Sequence, residues 1–254
     1  MIIVAIYNIK GGVGKTASAV NLSYLAAKDR NRTLLCDLDP QGSASYYFRI
    51  RPHKKFSSKK LLKGGRTLDK FIRATDFEFL DLLPAKMSHR KMDLLLDKIP
   101  KSKKQFNTIF SRSLQDYEYI FLDCPPNITL VSENVFYAAD FILIPLIPTT
   151  LSLLTYQKLL KFFKSHKLSA KKLIPFFSMV ESRKKMHQEM MREYLKPETR
   201  FLQSQIPYNS EIEKMGIYRN PLGYIRPRSK AAAAYQDLWN EIKSYIKEKP
   251  KNKR

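Results

Sequence analysis

Residues 1–16, MIIVAIYNIKGGVGKT, carry a short apolar strand without a break into a glycine-rich loop closed by a lysine and a threonine. No other stretch limits the fold as strongly. The loop, Gly11, Gly12, Val13, Gly14, Lys15 and Thr16, follows the pattern G-x-x-x-x-G-K-[ST], except that the first glycine is missing and the run opens on Lys10. Backbone N–H groups that converge on phosphate oxygens need residues free of a Cβ, both for close approach and for unusual dihedrals. Lys15 adds a point charge for the β and γ phosphates, and Thr16 a hydroxyl for Mg²⁺. The helical pattern ASAVNLSYLAA that follows aims its positive dipole end at the same place. A glycine-rich turn with a chance lysine is the bland alternative; the apolar strand before the loop and the helix after it argue for the phosphate loop.

Apolar runs near 2–8, 32–37, 77–83, 118–123, 140–146 and 172–180 alternate with helical periodicity at 17–29, 86–99, 104–115, 129–138, 151–165 and 184–195. The runs IIVAIYN, TLLCDL, YIFLDC and FILIPL are continuous rather than alternating, as strands buried on both faces require. The expected fold is α/β: a P-loop NTPase fold with a mostly parallel twisted sheet and helices on both faces. A length of 254 residues suits one sizeable core, so one domain is expected over 1–254, with a basic tail from about 247. A closing helix from about Ser229 to Lys247 places Tyr235, Leu238, Trp239, Ile242, Tyr245 and Ile246 on one face, which suits packing on the sheet. A membrane-surface helix is the other reading of that stripe. It is disfavoured because the basic tail KEKPKNKR begins after the stripe ends.

Two further segments put acids at the carboxyl ends of apolar strands. The first is Asp37-Leu38-Asp39-Pro40-Gln41-Gly42-Ser43-Ala44-Ser45. A carboxylate there can orient or deprotonate an attacking water, or hold Mg²⁺ through its waters, although Asp before Pro is also an ordinary turn former. In the second, Phe121-Leu122-Asp123-Cys124-Pro125-Pro126-Asn127, an acid ends a fully apolar strand and two prolines enforce an extended exit. A buried strand-end acid is costly alone, and Mg²⁺ or its water shell is the natural compensation.

Composition narrows the surroundings. No apolar run approaches the roughly 18–20 residues of a membrane span, and MIIVAIYNI lacks the basic start of a signal peptide, so a cytoplasmic location is expected. Cys36 and Cys124 lie in apolar segments without C-x-x-C spacing and read as core thiols. His53, His89, His166 and His187 are scattered through polar segments and receive no role. The outlier is charge: 46 Lys and Arg against 23 Asp and Glu give +23. Such a balance implies either a polyanionic partner or a solvated basic surface. The stretch 50–66, IRPHKKFSSKKLLKGGR, with seven Lys or Arg and no acid, reads as an exposed loop or short helix with the same two alternatives.

Taken together and in this order, KGGVGKT, DLDPQGSAS and DCPPN resemble the deviant Walker A ATPases of the ParA/MinD family. The likeness extends to Ile206-Pro207-Tyr208-Asn209, similar to the family segment that lies against adenine, and to Pro227 with the SKAAAAYQDLWNEI run after it; it is weakest over 46–116. The resemblance implies ATP and Mg²⁺ as cofactors. It makes Lys10 the signature lysine that reaches the nucleotide of the other subunit, Lys15 the P-loop lysine, Thr16 the Mg²⁺ ligand and Asp39 the water-orienting carboxylate, itself counted with the metal site. Asp123 would act in the second shell of Mg²⁺. Gly11, Gly12, Val13, Gly14, Lys15, Thr16 and Ala17 would line the phosphates, and Pro207 and Asn209 would contact the base. Ala17 departs from the Thr or Ser common in the family and loses a hydroxyl contact to the α-phosphate.

A lysine acting in trans makes ATP a cross-link, so the resemblance implies a homodimer that closes on ATP and reopens on hydrolysis. With no helix-turn-helix before Met1 the chain is similar to the small ParA type, which implies non-specific DNA binding, nucleoid association, and a ParB-like or other activating partner. For DNA the basic positions of the C-terminal third stand out: Arg183, Lys184, Lys185, Arg192, Lys214, Arg219, Arg226, Arg228 and Lys230. Segregation or positioning of a plasmid, chromosome or other cargo is the expected function. A MinD-like ATPase at a membrane surface is the alternative. A relative like the nitrogenase iron protein would need cluster-ligand cysteines, which Cys36 and Cys124 do not suit.

Overall fold

The computed structural model describes residues 1–65, 68–100, 102–196 and 198–248; Arg66 of the basic stretch and the tail from 249 lie outside the described residues. Eight strands form one sheet in the order β3-β4-β2-β5-β1-β6-β7-β8. They are β1 (Ile2–Ile6), β2 (Thr33–Asp37), β3 (Arg73–Ala74), β4 (Leu80–Leu83), β5 (Tyr119–Asp123), β6 (Phe141–Leu146), β7 (Leu173–Val180) and β8 (Gln205–Pro207). Every pairing is parallel except that of β3 with β4. The expected α/β architecture is what the molecule shows.

Alternation of side chains along the strands explains the continuous apolar runs. On one face lie Ile3 and Ala5 of β1, Leu34 and Cys36 of β2, and Ile120 and Leu122 of β5, covered by α3 (Ser58–Lys63), α4 (Met92–Asp97), α5 (Gln105–Ser113), α6 (Leu130–Ala138) and α7 (Thr150–Ser165). On the other lie Val4, Ile6, Leu35 and Phe121, under α1 (Lys15–Lys28), α2 (Ser43–Tyr47), α9 (Ser210–Tyr218), α10 (Leu222–Ile225) and α11 (Lys230–Glu248). α8 (Lys185–Tyr194) follows β7. The closing stripe packs as expected, with Tyr235, Leu238, Trp239 and Ile242 buried and Tyr245 and Ile246 at its margin. Trp239 also donates its indole N–H to Asp29 at 2.9 Å.

Some expectations change. The segment 50–66 is not simply exposed, because Phe56, Leu61 and Leu62 anchor α3 in the core while its lysines stay outside. The strand expected at 77–83 shortens to β4, since Phe79 takes a left-handed φ of 63 just before it. His89 and His187 are buried rather than set in polar surroundings. Cys36 and Cys124 are buried and free, as expected of core thiols.

Candidate functional site

β1 leaves the sheet between β5 and β6, so its loop emerges where neighbouring strands end. In register, Ile6 of β1 stands beside Asp123 of β5, and Asp123 beside Asp37 of β2. This places two buried carboxylates side by side next to the glycine loop. Asp37 Oδ2 accepts from the Ser45 amide at 2.8 Å and the Ser45 hydroxyl at 2.7 Å, and the same hydroxyl oxygen accepts from the Ala85 amide at 2.9 Å. Asp37 Oδ1 and both oxygens of Asp123 are buried with no hydrogen-bond partner. Burial pushes the Asp37 carboxyl up to about 6, and the Ser45 bonds offset only part of that. Burial and the neighbouring Asp37 raise Asp123 as well. Two like charges in a dry site make a locus for a cation.

The loop is built on glycine where geometry demands it. Gly14 caps α1 with φ 87 and ψ 20, and a Cβ there would lie 2.9 Å from Ser178 Oγ of β7. Gly11 and Gly12 would meet nothing within 4 Å, so the loop lies open to a ligand. Asn8 braces it from below: its amide donates to Pro145 O at 2.7 Å, and its Oδ1 accepts from the Lys10 amide at 2.9 Å. Lys15 is buried, and its Nζ donates to Lys10 O at 2.8 Å. Burial lowers its pKa, with Asp123, Cys124 and Asp39 pulling the other way. Thr16 and Ala17 are half-buried at the start of α1, whereas the Lys10 side chain is exposed.

Asp39 opens a tight turn. Its Oδ1 accepts from the Gln41 amide and its carbonyl from the Gly42 amide, both at 2.9 Å; Gly42 then starts α2 in the left-handed region. Among the described residues no three His, Cys, Asp or Glu side chains converge to hold a metal by themselves. A cation here would therefore need Thr16 and ligand oxygens beside the acids.

Pro207 ends β8 at the sheet edge, and Asn209 is the N-cap of α9, its Oδ1 accepting from the Glu211 amide at 2.8 Å. The nine C-terminal basic residues do not form one free cluster. Lys184 pairs with Glu181, Lys185 with Glu189, and Lys214 and Arg226 with Glu211. Arg219 holds α2 instead, its Nε donating to Tyr46 O at 3.0 Å. Among the described residues Arg183, Arg192, Arg228 and Lys230 make no ion pair.

Within the segment 37–45 only Asp39 receives a role from the sequence; the structure adds Asp37 and Ser45 of that segment, and Asn8 and Ser178 beside the loop. An acid ending the run TLLCD was the available signal for Asp37. Nothing in the sequence points to Ser178, which arrives through the pairing of β7 with β6.

A profile of the family described as AAA domain matches residues 1–175. The sporulation initiation inhibitor protein Soj of Bacillus subtilis is 29% identical over 247 residues, 94% of this chain and 97% of Soj. The chromosome partitioning protein ParA of Myxococcus xanthus is 33% identical over 145 residues, 57% of this chain and 51% of that protein. A plasmid partition protein of Borrelia burgdorferi bound to AMPPNP has TM-score 0.84 at 23% identity, covering 96% of this chain and 99% of that one. MinD of Pyrococcus horikoshii with Mg-ADP has TM-score 0.78 at 20% identity, covering 98% and 99%.

Proposed function

Since the chain belongs to the ParA/MinD family of partition ATPases, we propose that it is an ATPase that dimerises on ATP, binds DNA without sequence preference and segregates or positions a cargo. The observation that supports this most is the junction of β1, β5 and β2, where an open glycine loop meets two buried, partly unpartnered carboxylates. ATP and Mg²⁺ are its cofactors. The residues fit them: Gly11 and Gly12 leave room for a polyphosphate, and Asp123 has two deeply buried oxygens with the Thr16 hydroxyl close by. Thr16 and Asp123, with Asp39 beside them, would hold Mg²⁺, which when bound neutralises charge on the transferring phosphate.

In this reading the amides from Gly11 to Ala17 bind the phosphates and Lys15 leaves Lys10 O for a phosphate oxygen, as a mobile point charge can. Asp39 orients the attacking water and accepts its proton. Pro207 and Asn209 line the base. Lys10, exposed on the loop, reaches the nucleotide of a second subunit and closes the homodimer. Turnover is slow until an activating, ParB-like partner supplies a cation. The +23 charge suits a duplex, with Arg183, Arg192, Arg228 and Lys230 as the unpaired contacts of the C-terminal third. Nucleoid association would follow from that contact.

The test is binding of non-specific duplex DNA and of anionic liposomes with ATP or ADP across a salt series. Retention on DNA with ATP only, lost steeply as salt rises, is the expected result. Retention on liposomes alone refutes the DNA reading and leaves the membrane-surface alternative.

A further inference from the structure

Arg49 and Arg219 tie the Asp39 loop to the segment that follows Pro207. Tyr46 O, in the last turn of α2, accepts from the Arg49 amide and from Arg219 Nε, both at 3.0 Å. The Arg219 guanidinium also sits 4.4 Å from the centre of the Tyr46 ring. In return Arg49 Nη1 donates to Arg219 O at 2.6 Å, and Arg49 pairs with Asp76. Both arginines occupy the left-handed region, with φ of 58 and 52. Each arginine takes that conformation just past a helix, where its amide bonds back to a carbonyl of the last turn, Tyr46 O for Arg49 and Met215 O for Arg219.

Each end of this clasp belongs to a rigid piece of the site. α2 hangs from Asp39 through the Gly42 turn and is pinned by Ser45 to Asp37. α9 starts on Asn209 and runs nine residues to Arg219, a rod of about 13 Å. We infer that Arg219 is a positioning residue: it couples the seating of the nucleotide base at Pro207 and Asn209 to the placement of Asp39, so that hydrolysis depends on both. The inference rests on the ATPase reading above and assigns Arg219 a part in its regulation rather than in DNA contact.

Arg219→Gly is the decisive variant, because glycine is suited to a left-handed helix C-cap and the backbone is retained. In that variant kcat falls roughly 10- to 100-fold while KM for ATP stays within about twofold, since a loosened support misplaces the water-orienting group without touching the phosphates. Arg219→Lys recovers part of the loss, as an ammonium can still donate to Tyr46 O but cannot stack on the ring. Amide hydrogen exchange over residues 42–47 is read alongside: ATP slows it in the wild type and fails to do so in Arg219→Gly. Unchanged kcat, or equal ATP protection of α2 in both proteins, overturns the inference. A wild type that binds ATP without hydrolysing it refutes the ATPase reading, and the exchange comparison still decides the clasp.

Discussion

Replacing Gly14 by Ala tests how the loop is held. The residue sits at φ 87 and ψ 20, where a Cβ costs about 1–2 kcal/mol. The new methyl also lands 2.9 Å from Ser178 Oγ, short of ordinary contact by about 0.5 Å. Ser178 is buried on β7 and has little room to withdraw, so the crowding adds about 1–3 kcal/mol. The whole substitution should cost about 2–5 kcal/mol and lower Tm by about 10 °C for a chain of this size. Urea unfolding followed by the fluorescence of Trp239, the one tryptophan and fully buried, is a suitable assay. The double variant Gly14→Ala/Ser178→Ala removes the crowding and leaves the dihedral strain, so it should recover about half of the loss. A coupling energy below about 0.5 kcal/mol between the two sites would refute the close-approach argument.

Lys15→Ala should abolish nucleotide binding while the protein stays folded, and ATP affinity equal to wild type would remove the phosphate-loop assignment. Asp39→Ala should bind ATP and accumulate dimers that do not turn over, visible as a persistent dimer in sedimentation; normal turnover excludes Asp39 from the chemistry. His89 is buried edge-on to Phe56 with neither ring nitrogen bonded, and burial lowers its pKa to about 4. A depressed histidine stabilises the fold above its ordinary value of about 6.5 and loses that contribution as pH falls toward 4, about 3 kcal/mol in all. The stability gap between His89→Phe and wild type should therefore widen in favour of the variant on acidification from pH 7 to 4; a constant gap sinks the assignment. Asn21 accepts the buried Leu222 amide at 2.8 Å, so Asn21→Ala should destabilise by about 1–3 kcal/mol in thermal unfolding.

The four central strands were legible because a strand covered on both faces is apolar along its length, and IIVAI and FILIPL are so throughout while TLLCD and YIFLD break the pattern chiefly at their terminal acids. Helices with a full apolar stripe were legible too, though their ends moved: the expected 86–99 became a short 3₁₀ turn and α4. β3, β8, α2, α9 and α10 were not anticipated. The first two are edge strands of two and three residues, and such pieces exist because a neighbour offers its edge rather than through any preference of their own. α2 and α10, of five and four residues, are too short to carry a period.

The same division runs through the site. The sequence by itself determined the chemistry of the loop: KGGVGKT prescribes a phosphate cradle with a lysine and a hydroxyl because the backbone requirements of that cradle are local. It also determined that acids end two buried strands. Tertiary structure alone decided that Asp37 and Asp123 stand in register, that Ser178 crowds any side chain at Gly14, and that Arg219 grips α2 while Arg226 is paired with Glu211. Each of these is a contact between residues far apart in the chain, set by strand order and helix placement. A charge or a hydroxyl announces its chemistry in the sequence, and its partner is chosen by the fold.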